Sequence, residues 1–305
     1  METGYIHPDY ANSLDEFGRP CHLPRCGGWL LSRTIPESTL SDAMGCYPLF
    51  LCKNWSGLKE DLNERADDWV SVSLVTDPFG GFNPSELSDC FPDVTIPFKK
   101  HYVLDLSQPF ENTISKHHLR YALKALKVLN VERCTSPEIF LSDWIELYSV
   151  LTNRFDLIGI HAFSEMVFAR QLKIPGMEMF RAVYQEKTVS ILLWYVQDSV
   201  VYYHLGASSL QGYEFRASFA LFYTALEYFS QQPLLHWVNL GASAGLTGDE
   251  YDGLSRFKKG WSSGTRIAYL CGRIFNRKEY DRICRSQQNH EPDYFPAYRK
   301  GEFKY

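Results

Sequence analysis

Several features that mark specialised classes of protein are missing from this sequence of 305 residues. It has no disordered or low-complexity tract, because apolar residues make up 45% and charged residues 22% of the chain. Its longest nearly unbroken apolar run, residues 189–196, is too short to cross a bilayer. The first residues combine neither a basic start nor an apolar core, so we predict no signal peptide. A globular, cytoplasmic protein is therefore expected, and this length favours two domains over one.

The eight cysteines form no Cys-x-x-Cys pair. Cys21 with Cys26, and Cys46 with Cys52, could in principle ligate zinc, but spacings of five and six residues are wrong for a zinc knuckle. Neither Cys46 nor Cys271 has a readable His–carboxylate partner, which argues against a cysteine nucleophile. In a chain without an export signal the thiols are expected to be reduced. We therefore predict no metal site.

Basic residues are outnumbered by acidic ones, 31 against 36, and their distribution is uneven. The net charge of −5 argues against a general nucleic-acid binder, and no DNA partner is predicted. Residues 1–100 hold fifteen acids against eight bases, whereas residues 253–285 hold nine bases against two acids. This basic stretch either binds a phosphate-bearing ligand or forms a solvated face.

The first half of the chain is predicted to mix strands and helices after an irregular stretch over residues 1–26. Strands are indicated by β-branched and aromatic runs, and helices by apolar residues at helical spacing. The expected strands are Trp29–Ile35, Tyr47–Cys52, Val70–Val75 and Tyr102–Leu106, and the expected helices are Leu58–Asp67 and Pro84–Cys90.

A helix over Ser115–Leu129 is the clearest in the sequence, with Ser115 as a plausible cap. One side is apolar, and another carries a row of basic residues: Lys116, Arg120, Lys124 and Lys127. Such a row is either solvated or contacts an anionic substrate or tRNA. We interpret this helix as the connector between two halves.

The second half contains three closely spaced strands that predict an antiparallel meander: Phe180–Tyr184, Thr188–Val196 and Val200–Leu205. A strand over Asn130–Cys134 and two helices, from Pro137 to about Leu151 and over Phe163–Leu172, precede them, and Arg266–Ile274 could add a last strand.

After the meander comes a Gly/Ser loop, then a helix over Arg216–Phe229 and a short strand, Trp237–Leu240. Because that strand follows a crossover helix, it is expected to run parallel to its partner. The loop before the helix would expose backbone N–H groups, which is a natural anion site.

This order of elements resembles the Gcn5-related N-acetyltransferase (GNAT) fold, and the residues resemble its FemA/FemB/FemX-like branch with its BioF2-like acetyltransferase relatives. The resemblance covers roughly residues 100–262 and rests on the order and spacing of five segments: His117–Ala125, Tyr202–Ser208, Ala217–Leu221, Asn239–Ala242 and Asp252–Gly260. It implies an α+β, tandem GNAT-like fold in which two strands splay apart and the acyl donor lies between them. The expected domains are residues 1–114 (partial GNAT-like), 115–129 (connecting helix) and 130–305 (GNAT).

The resemblance also implies an enzyme that transfers an acyl group from an acyl thioester, acyl-CoA, to a small-molecule, peptidyl or sugar amine. One departure matters: the Arg/Gln-x-x-Gly-x-Gly/Ala pyrophosphate loop is absent, and Gly206–Gly212 stands in its place. An aminoacyl-tRNA donor, as in Fem-type enzymes, is therefore the alternative, and a catalytically inactive GNAT-like binding module is the second alternative.

Candidate catalytic residues follow from the chemistry of the transfer. Attack of an amine on a thioester needs a base and a stabilised oxyanion. His204, on the strand that borders the splay, has a suitable intrinsic pKa, although strand histidines are more often packed in the core. Tyr202 shares its face and is a candidate for a general acid or substrate contact. Asp77, at the exit of an apolar strand, could bind the acceptor amine or act as the base.

The resemblance supplies further candidates. Lys258 lies where Fem-like enzymes keep a functionally important lysine, and its ammonium could neutralise an oxyanion or a donor phosphate. Nearby basic residues are predicted to bind substrate, and the strand–loop region to bind the donor. The substrate set is Arg120, Arg256 and Lys259, and the donor set is Leu205, Gly206, Ala207, Ser208, Ser209 and Gly241.

Overall fold

The computed structural model of the protein describes residues 2–243, 253–286 and 294–302. Its strands are β1 (Arg19–Leu23), β2 (Gly28–Thr34), β3 (Ser41–Gly45), β4 (Ser71–Val75), β5 (Val94–Asp105), β6 (Asn130–Cys134), β7 (Met177–Tyr184), β8 (Lys187–Gln197), β9 (Val200–Ser208), β10 (Trp237–Asn239) and β11 (Gly264–Ile274).

The α-helices are α1 (Pro8–Ser13), α2 (Leu58–Glu64), α3 (Pro84–Cys90), α4 (Phe110–Thr113), α5 (Lys116–Ala125), α6 (Leu141–Phe155), α7 (Glu165–Gln171), α8 (Leu210–Glu214), α9 (Ala217–Ser230), α10 (Gly253–Lys259) and α11 (Arg277–Ser286). Short 3₁₀ turns lie at Gly4–Ile6, Trp55–Gly57, Pro137–Phe140, Gly159–His161 and Ala297–Arg299. No helix among the described ranges is long and apolar enough to span a membrane.

The chain divides into two compact units that do not follow its order. The first unit contains Met1–Gly4, Lys99–Leu157 and Ser164–Arg266, and the second contains Tyr5–Phe98, Ile158–Phe163 and Ile267–Tyr305. The helix expected to connect two halves, α5, belongs to the first unit, and the last segment of the chain belongs to the second. The predicted division of the chain into residues 1–114, 115–129 and 130–305 stays a prediction.

The first unit is built on strands in the order β5-β10-β9-β8-β7-β6. β7, β8 and β9 form antiparallel pairs joined by tight turns, so the predicted meander is confirmed. β10 runs parallel to β9 and antiparallel to β5, which confirms the parallel return strand. This combination is possible because α9 carries the chain from the end of β9 back to the start of β10.

Helices cover both faces of this sheet. The mostly apolar α9 and the neighbouring α5 lie on one face, where Phe222 and Phe229 pack against Trp194 at ring-centroid distances of 5.3 and 5.5 Å. α6 and α7 lie on the other face, where Trp144 and Phe168 form an edge-to-face pair. The buried aromatic residues explain why these helices hold to the sheet, since each such ring removes a large apolar area from water.

The second unit is built on strands in the order β1-β2-β3-β4-β11. Neighbouring strands are antiparallel except for β3 and β4, which are parallel. The side chains of α2 and α3 help to close one apolar cluster of this unit, and α11 helps to close another. The prediction of a strand over residues 266–274 is confirmed, since β11 spans Gly264–Ile274.

A buried ionic cluster ties the end of the described chain to this second sheet. Asp42 on β3 is fully buried, and its carboxylate accepts hydrogen bonds from Arg299 at 2.9 Å and from Arg33 at 3.3 and 3.4 Å. Arg299 also donates to the Thr34 carbonyl at 2.8 Å. The segment that carries Arg299 is therefore an integral part of the second unit.

Two local predictions were wrong. The expected strand over Tyr47–Cys52 does not form. Within these six described residues, Phe50 alone makes a β-type contact, an isolated bridge to Thr76. Pro48 lacks an N–H donor, so this stretch is poorly suited to a ladder. Residues 1–26 are not irregular throughout, because they include α1 and β1. The remaining predicted elements are present, most with ends that differ by a few residues, but β5 begins at Val94, well before the predicted start at Tyr102.

Candidate active site

The strands β9 and β10 separate soon after they meet. They pair at only three positions, from Trp237 opposite Val200 to Asn239 opposite Tyr202. The chain then turns toward β5, where the N–H of Leu240 donates to the Tyr102 carbonyl at 2.9 Å. β9 continues to Ser208 with β8 as its partner, and within the described residues no strand pairs with its other edge beyond Tyr202. The predicted divergence of two strands is confirmed.

A β-bulge lies at this point of separation. Trp194 pairs with Tyr203 and Leu193 pairs with Leu205, so His204 is the extra residue of β9. Tyr203 points toward α9, with its ring 5.1 Å from that of Phe222. Tyr203 therefore lies on the α9 face of the sheet at the point where the strands separate.

His204 lies on the face opposite α9. Its Nε2 is 3.1 Å from the Gln171 Oε1 on α7, and its ring packs on Tyr195 at a centroid distance of 5.1 Å. Burial lowers the pKa of His204 to about 3, so the imidazole is neutral near pH 7. The structure places His204 in a packed, hydrogen-bonded position, and its predicted role as the base stays a prediction.

Lys258 reaches the point where β10 leaves β9. Its ammonium is buried and donates a hydrogen bond to the Ala242 carbonyl at 2.6 Å. The ammonium lies 5.8 Å from the centre of the Tyr203 ring. A side chain on Gly241 would bring its Cβ within 3.0 Å of Nζ, and Gly241 has a φ of +78°. Gly241 thus leaves room for the lysine and adopts a backbone conformation that favours glycine.

Two residues that the sequence did not single out complete this cluster. Asn239, the last residue of β10, accepts a hydrogen bond from the Gly241 N–H at 2.9 Å. The same Oδ1 lies 3.0 Å from Nδ1 of His101 on β5. Asn239, His101 and Lys258 are all buried, so a polar cluster occupies the point of separation. No local pattern marks His101, because its partner is 138 residues away.

The helix that carries Lys258 is held by a second histidine. His118 Nε2 donates to the Phe257 carbonyl at 3.0 Å, and its Nδ1 accepts from the Ser115 hydroxyl at 2.7 Å. The ring also packs edge-on against Trp261 at 5.1 Å. Burial lowers the pKa of His118 below its usual value, which favours this neutral form. His118 therefore fixes α10 to the start of α5.

The predicted donor-binding segment is occupied by contacts within the protein. Gly206 has no room for a side chain, since a Cβ there would lie 2.5 Å from the Tyr203 hydroxyl and from Leu192. Ser208 pairs with Ser190 at 2.7 Å, and the Ser209 hydroxyl caps α8 by accepting from the Gly212 N–H at 3.1 Å. Leu205 is half-buried and Ala207 is buried. Donor binding by this set stays a prediction.

The predicted substrate-binding residues are exposed. Arg256 and Lys259 lie on α10 beside the buried Lys258, and Arg120 lies on α5. Arg120 and Arg216 both stack on the Tyr121 ring, at 5.3 and 3.5 Å from its centre. A hydrogen bond from Arg216 lowers the pKa of the Tyr121 phenol. A basic and aromatic surface therefore lies at the start of α9, and Asp252 of the matching segment lies outside the described residues.

Tyr202 and Asp77 occupy buried positions. Tyr202 lies opposite Asn239 in the β9–β10 ladder. Asp77 belongs to the second unit, where its carboxylate accepts from the Phe79 N–H at 3.1 Å and its carbonyl accepts from the Gly80 N–H at 3.0 Å. This is a turn of the kind that aspartate commonly stabilises. The catalytic roles of both residues stay predictions.

The eight cysteines are free thiols. Burial raises the pKa of Cys46 and of Cys271 to about 12, which does not favour a reactive thiolate. Among residues 2–243, 253–286 and 294–302, no group of three or more His, Cys, Asp or Glu side chains could hold a metal ion.

The fold that contains the meander, the parallel return strand and their divergence is similar to that of several solved structures. The chain is similar to FemX, with a TM-score of 0.64 and 16% identity over 90% of this chain and 93% of that chain. It is also similar to the C-terminal domain of a putative lysylphosphatidylglycerol synthetase from Agrobacterium fabrum, with a TM-score of 0.62 and 12% identity over 86% and 87% of the two chains.

A third similar structure is L-PGS from Bacillus licheniformis, with a TM-score of 0.56 and 14% identity over 90% of this chain and 94% of that chain. No family model and no curated protein sequence matches the chain. At these identities the likeness establishes the fold, and the predicted α+β, tandem GNAT-like fold of FemX-like type is confirmed.

Proposed function

We propose that this protein is an acyltransferase that moves an acyl or aminoacyl group from an activated ester or thioester to an amine. One observation carries the proposal: β9 and β10 separate after three paired residues, and the buried ammonium of Lys258 lies at the separation. The edge of β9 that leaves its neighbour offers backbone groups along which a donor carbonyl can be laid.

Lys258 is suited to the electrostatic part of this reaction. Negative charge develops on the carbonyl oxygen as the amine attacks, and a fixed positive charge in a site with little water stabilises it more than water does. The hydrogen bond to the Ala242 carbonyl holds the ammonium in place before substrate arrives. We assign Lys258 the stabilisation of the oxyanion.

An acyl thioester such as acyl-CoA is our first candidate for the donor. α9 is fourteen residues long and begins at Ala217, and the residue before it, Arg216, makes no side-chain cap hydrogen bond. The first N–H groups of such a helix favour a phosphate. Arg216 and Arg120 at the same surface would add positive charge.

An aminoacyl-tRNA is the second candidate, and a different observation favours it. Ser208 and Ser209 are engaged in hydrogen bonds within the protein, at the position that corresponds to the pyrophosphate loop of a CoA enzyme. Exposed basic residues on α5 and α10 provide charge for a nucleic-acid donor: Lys116, Arg120, Lys124, Arg256 and Lys259. The name of one similar protein, lysylphosphatidylglycerol synthetase, also points to aminoacyl chemistry.

A two-donor assay tests the proposal. The purified protein is incubated with a mixture of amino sugars and peptides, and with either acetyl-CoA and longer acyl-CoA thioesters or a pool of charged tRNA. We expect amine-dependent consumption of one donor class, followed by mass spectrometry of the product. Loss of activity with ribonuclease would identify the tRNA donor. Binding without consumption would support the inactive module. If the protein neither binds nor consumes either class of donor, the proposal is contradicted.

A further inference from the structure

The His101–Asn239 pair has a defined proton arrangement. The Gly241 N–H must donate, so the Asn239 atom 2.9 Å from it is the carbonyl oxygen Oδ1. That oxygen has no hydrogen of its own, so His101 Nδ1, 3.0 Å away, must carry the proton that it donates. In the neutral imidazole the other nitrogen, Nε2, then holds a lone pair and acts as an acceptor.

Backbone register places this imidazole beside the separation of the strands. Asn239 pairs with Val103 on β5, and His101 lies two residues before Val103, so the two side chains share one face of the sheet. Tyr202, opposite Asn239 in the parallel ladder, points to that face too. Val238 and Leu240 instead pack in the core formed with α9. His101 therefore lies on the face away from α9, at the end of β10.

Within the described part of the chain, the His101 ring makes its hydrogen bond through Nδ1, and Nε2 makes none. The residue as a whole is buried. Nε2 is therefore the ring nitrogen that can accept a proton from a substrate amine.

We propose that His101 is the base of the transfer reaction and that Asn239 is the positioning residue that presents its Nε2 lone pair to the attacking amine. This inference rests on the proposed function. The amine nitrogen forms a bond to the donor carbonyl carbon, and His101 Nε2 takes the proton that the nitrogen releases. The carbon–sulfur or carbon–oxygen bond to the donor then breaks, and the imidazolium returns the proton to the departing thiolate or alkoxide.

The surroundings of His101 keep its imidazole neutral before reaction. Burial lowers the pKa of His101 to about 4, and the positive charges of Lys258 on α10 and Lys99 on β5 act in the same direction. The hydrogen bond to Asn239 on β10 acts in the opposite direction. Above about pH 4 the imidazole is therefore available to accept a proton.

The first test does not need a substrate. In ¹⁵N NMR spectra of the histidine-labelled protein, we expect His101 as the Nδ1–H tautomer, with protonation well below pH 6.5. An Nε2–H tautomer would overturn the proposal, whatever reaction the protein performs. Asn239→Asp should raise the His101 pKa, because a carboxylate stabilises the imidazolium. An unchanged titration in that variant would also contradict the proposed contact.

The second test uses the reaction found with the two donors. We expect His101→Gln to lower kcat by about 10²–10⁴-fold with a smaller change in KM and a preserved fold, as measured by circular dichroism. The matched control is His236→Gln, an exposed histidine of the same unit. In Asn239→Asp, the pH below which activity is lost should rise, measured with a weakly basic amine. Full activity of His101→Gln in an active protein would overturn this inference and leave the proposed function standing.

Discussion

At the scale of single residues, the burial of Lys258 is unusual. Its side chain is only 6% exposed, and lysine is among the residues least often buried in globular proteins. Removing an ammonium from water costs free energy, and the hydrogen bond to the Ala242 carbonyl offsets part of that cost. The position is easier to explain by function than by stability.

We predict that Lys258→Met lowers the transfer rate by about 10²-fold or more, because the oxyanion loses its fixed positive charge. The variant should still unfold cooperatively, because methionine has a side chain of similar length that fills the same buried space. Steady-state kinetics and thermal unfolding measure the two effects. Lys173→Met, the same change at an exposed lysine of the first unit, is the control and should alter neither. Equal activity of both variants would refute the role of Lys258.

The residues of this cluster differ in how far the sequence reveals them. Lys258 was predicted because it follows Phe257 in a segment that resembles the Fem-like pattern. His101 was not, because it lies between Lys100 and Tyr102 in a strand with no local sign of function. Its significance depends on Asn239, which only the folded chain brings within hydrogen-bond distance. Likewise, His204 has the intrinsic pKa of a base, but the folded chain brings its Nε2 to 3.1 Å from the Gln171 Oε1, a partner that no local pattern indicates.

At the scale of secondary-structure elements, the junction of α5 and α10 governs where Lys258 lies. Gly260 closes this junction: its carbonyl accepts from the Ser115 N–H at 3.0 Å, and a Cβ there would lie 2.1 Å from the His118 ring. The ring cannot move without breaking its hydrogen bond to the Phe257 carbonyl.

We predict that Gly260→Ala lowers the free energy of unfolding by about 1–3 kcal/mol, as overpacking of a buried site does. It should also lower kcat, since α10 must shift and take Lys258 with it. Gly264→Ala is the matched control, because a Cβ at Gly264 meets nothing within 4 Å. Urea unfolding and the transfer assay measure both variants. A Gly260 variant as stable and active as the control would show that the junction is not rigid.

Elements with strong local patterns were predicted well, and those stabilised from a distance were not. The meander is rich in β-branched and aromatic residues, and α9 follows it with a long apolar run. β3 (Ser41–Gly45) lacks such a pattern, because Ser, Asp and Gly are weak strand formers. It forms a strand because β2 and β4 flank it and because Asp42 pairs with Arg299, 257 residues further along the chain.

At the scale of the whole molecule, buried histidines couple stability to pH. The pKa of His101 is lowered to about 4 and that of His204 to about 3, whereas both lie near 6.5 in the unfolded chain. At a pH between the lowered pKa of the folded chain and the pKa near 6.5, the unfolded chain binds protons that the folded chain does not. The contribution of the neutral imidazoles to stability is therefore complete above about pH 6.5 and is lost as the pH falls.

We predict that the free energy of unfolding decreases from pH 6.5 to pH 5. In the His204→Gln variant this decrease should be less steep by about one proton, which corresponds to roughly 1.4 kcal/mol per pH unit. Urea unfolding at several pH values measures the slope. His236→Gln, at an exposed position, should leave it unchanged. If His204→Gln has the slope of the unaltered protein, His204 is protonated in the folded state at these pH values.

The order of elements allowed the fold to be predicted from the sequence. The sequence did not indicate which segments of the chain form each compact unit. Periodicity and propensity act over a few neighbouring residues, whereas the second unit joins Tyr5–Phe98 to Ile267–Tyr305. Nothing in the local pattern of residues 71–75 indicates that their partner strand begins at Gly264.

That pairing of β4 with β11 has a consequence for biosynthesis. During translation, residues 71–75 leave the ribosome almost two hundred residues before β11, in which Leu270 pairs with Val75. Until then β4 has one edge without a partner strand, and Asp42 lacks its ion pair with Arg299. The second unit can reach its final form only after the first unit has been synthesised, so a fragment that stops before residue 264 would present an unprotected strand and be prone to aggregate.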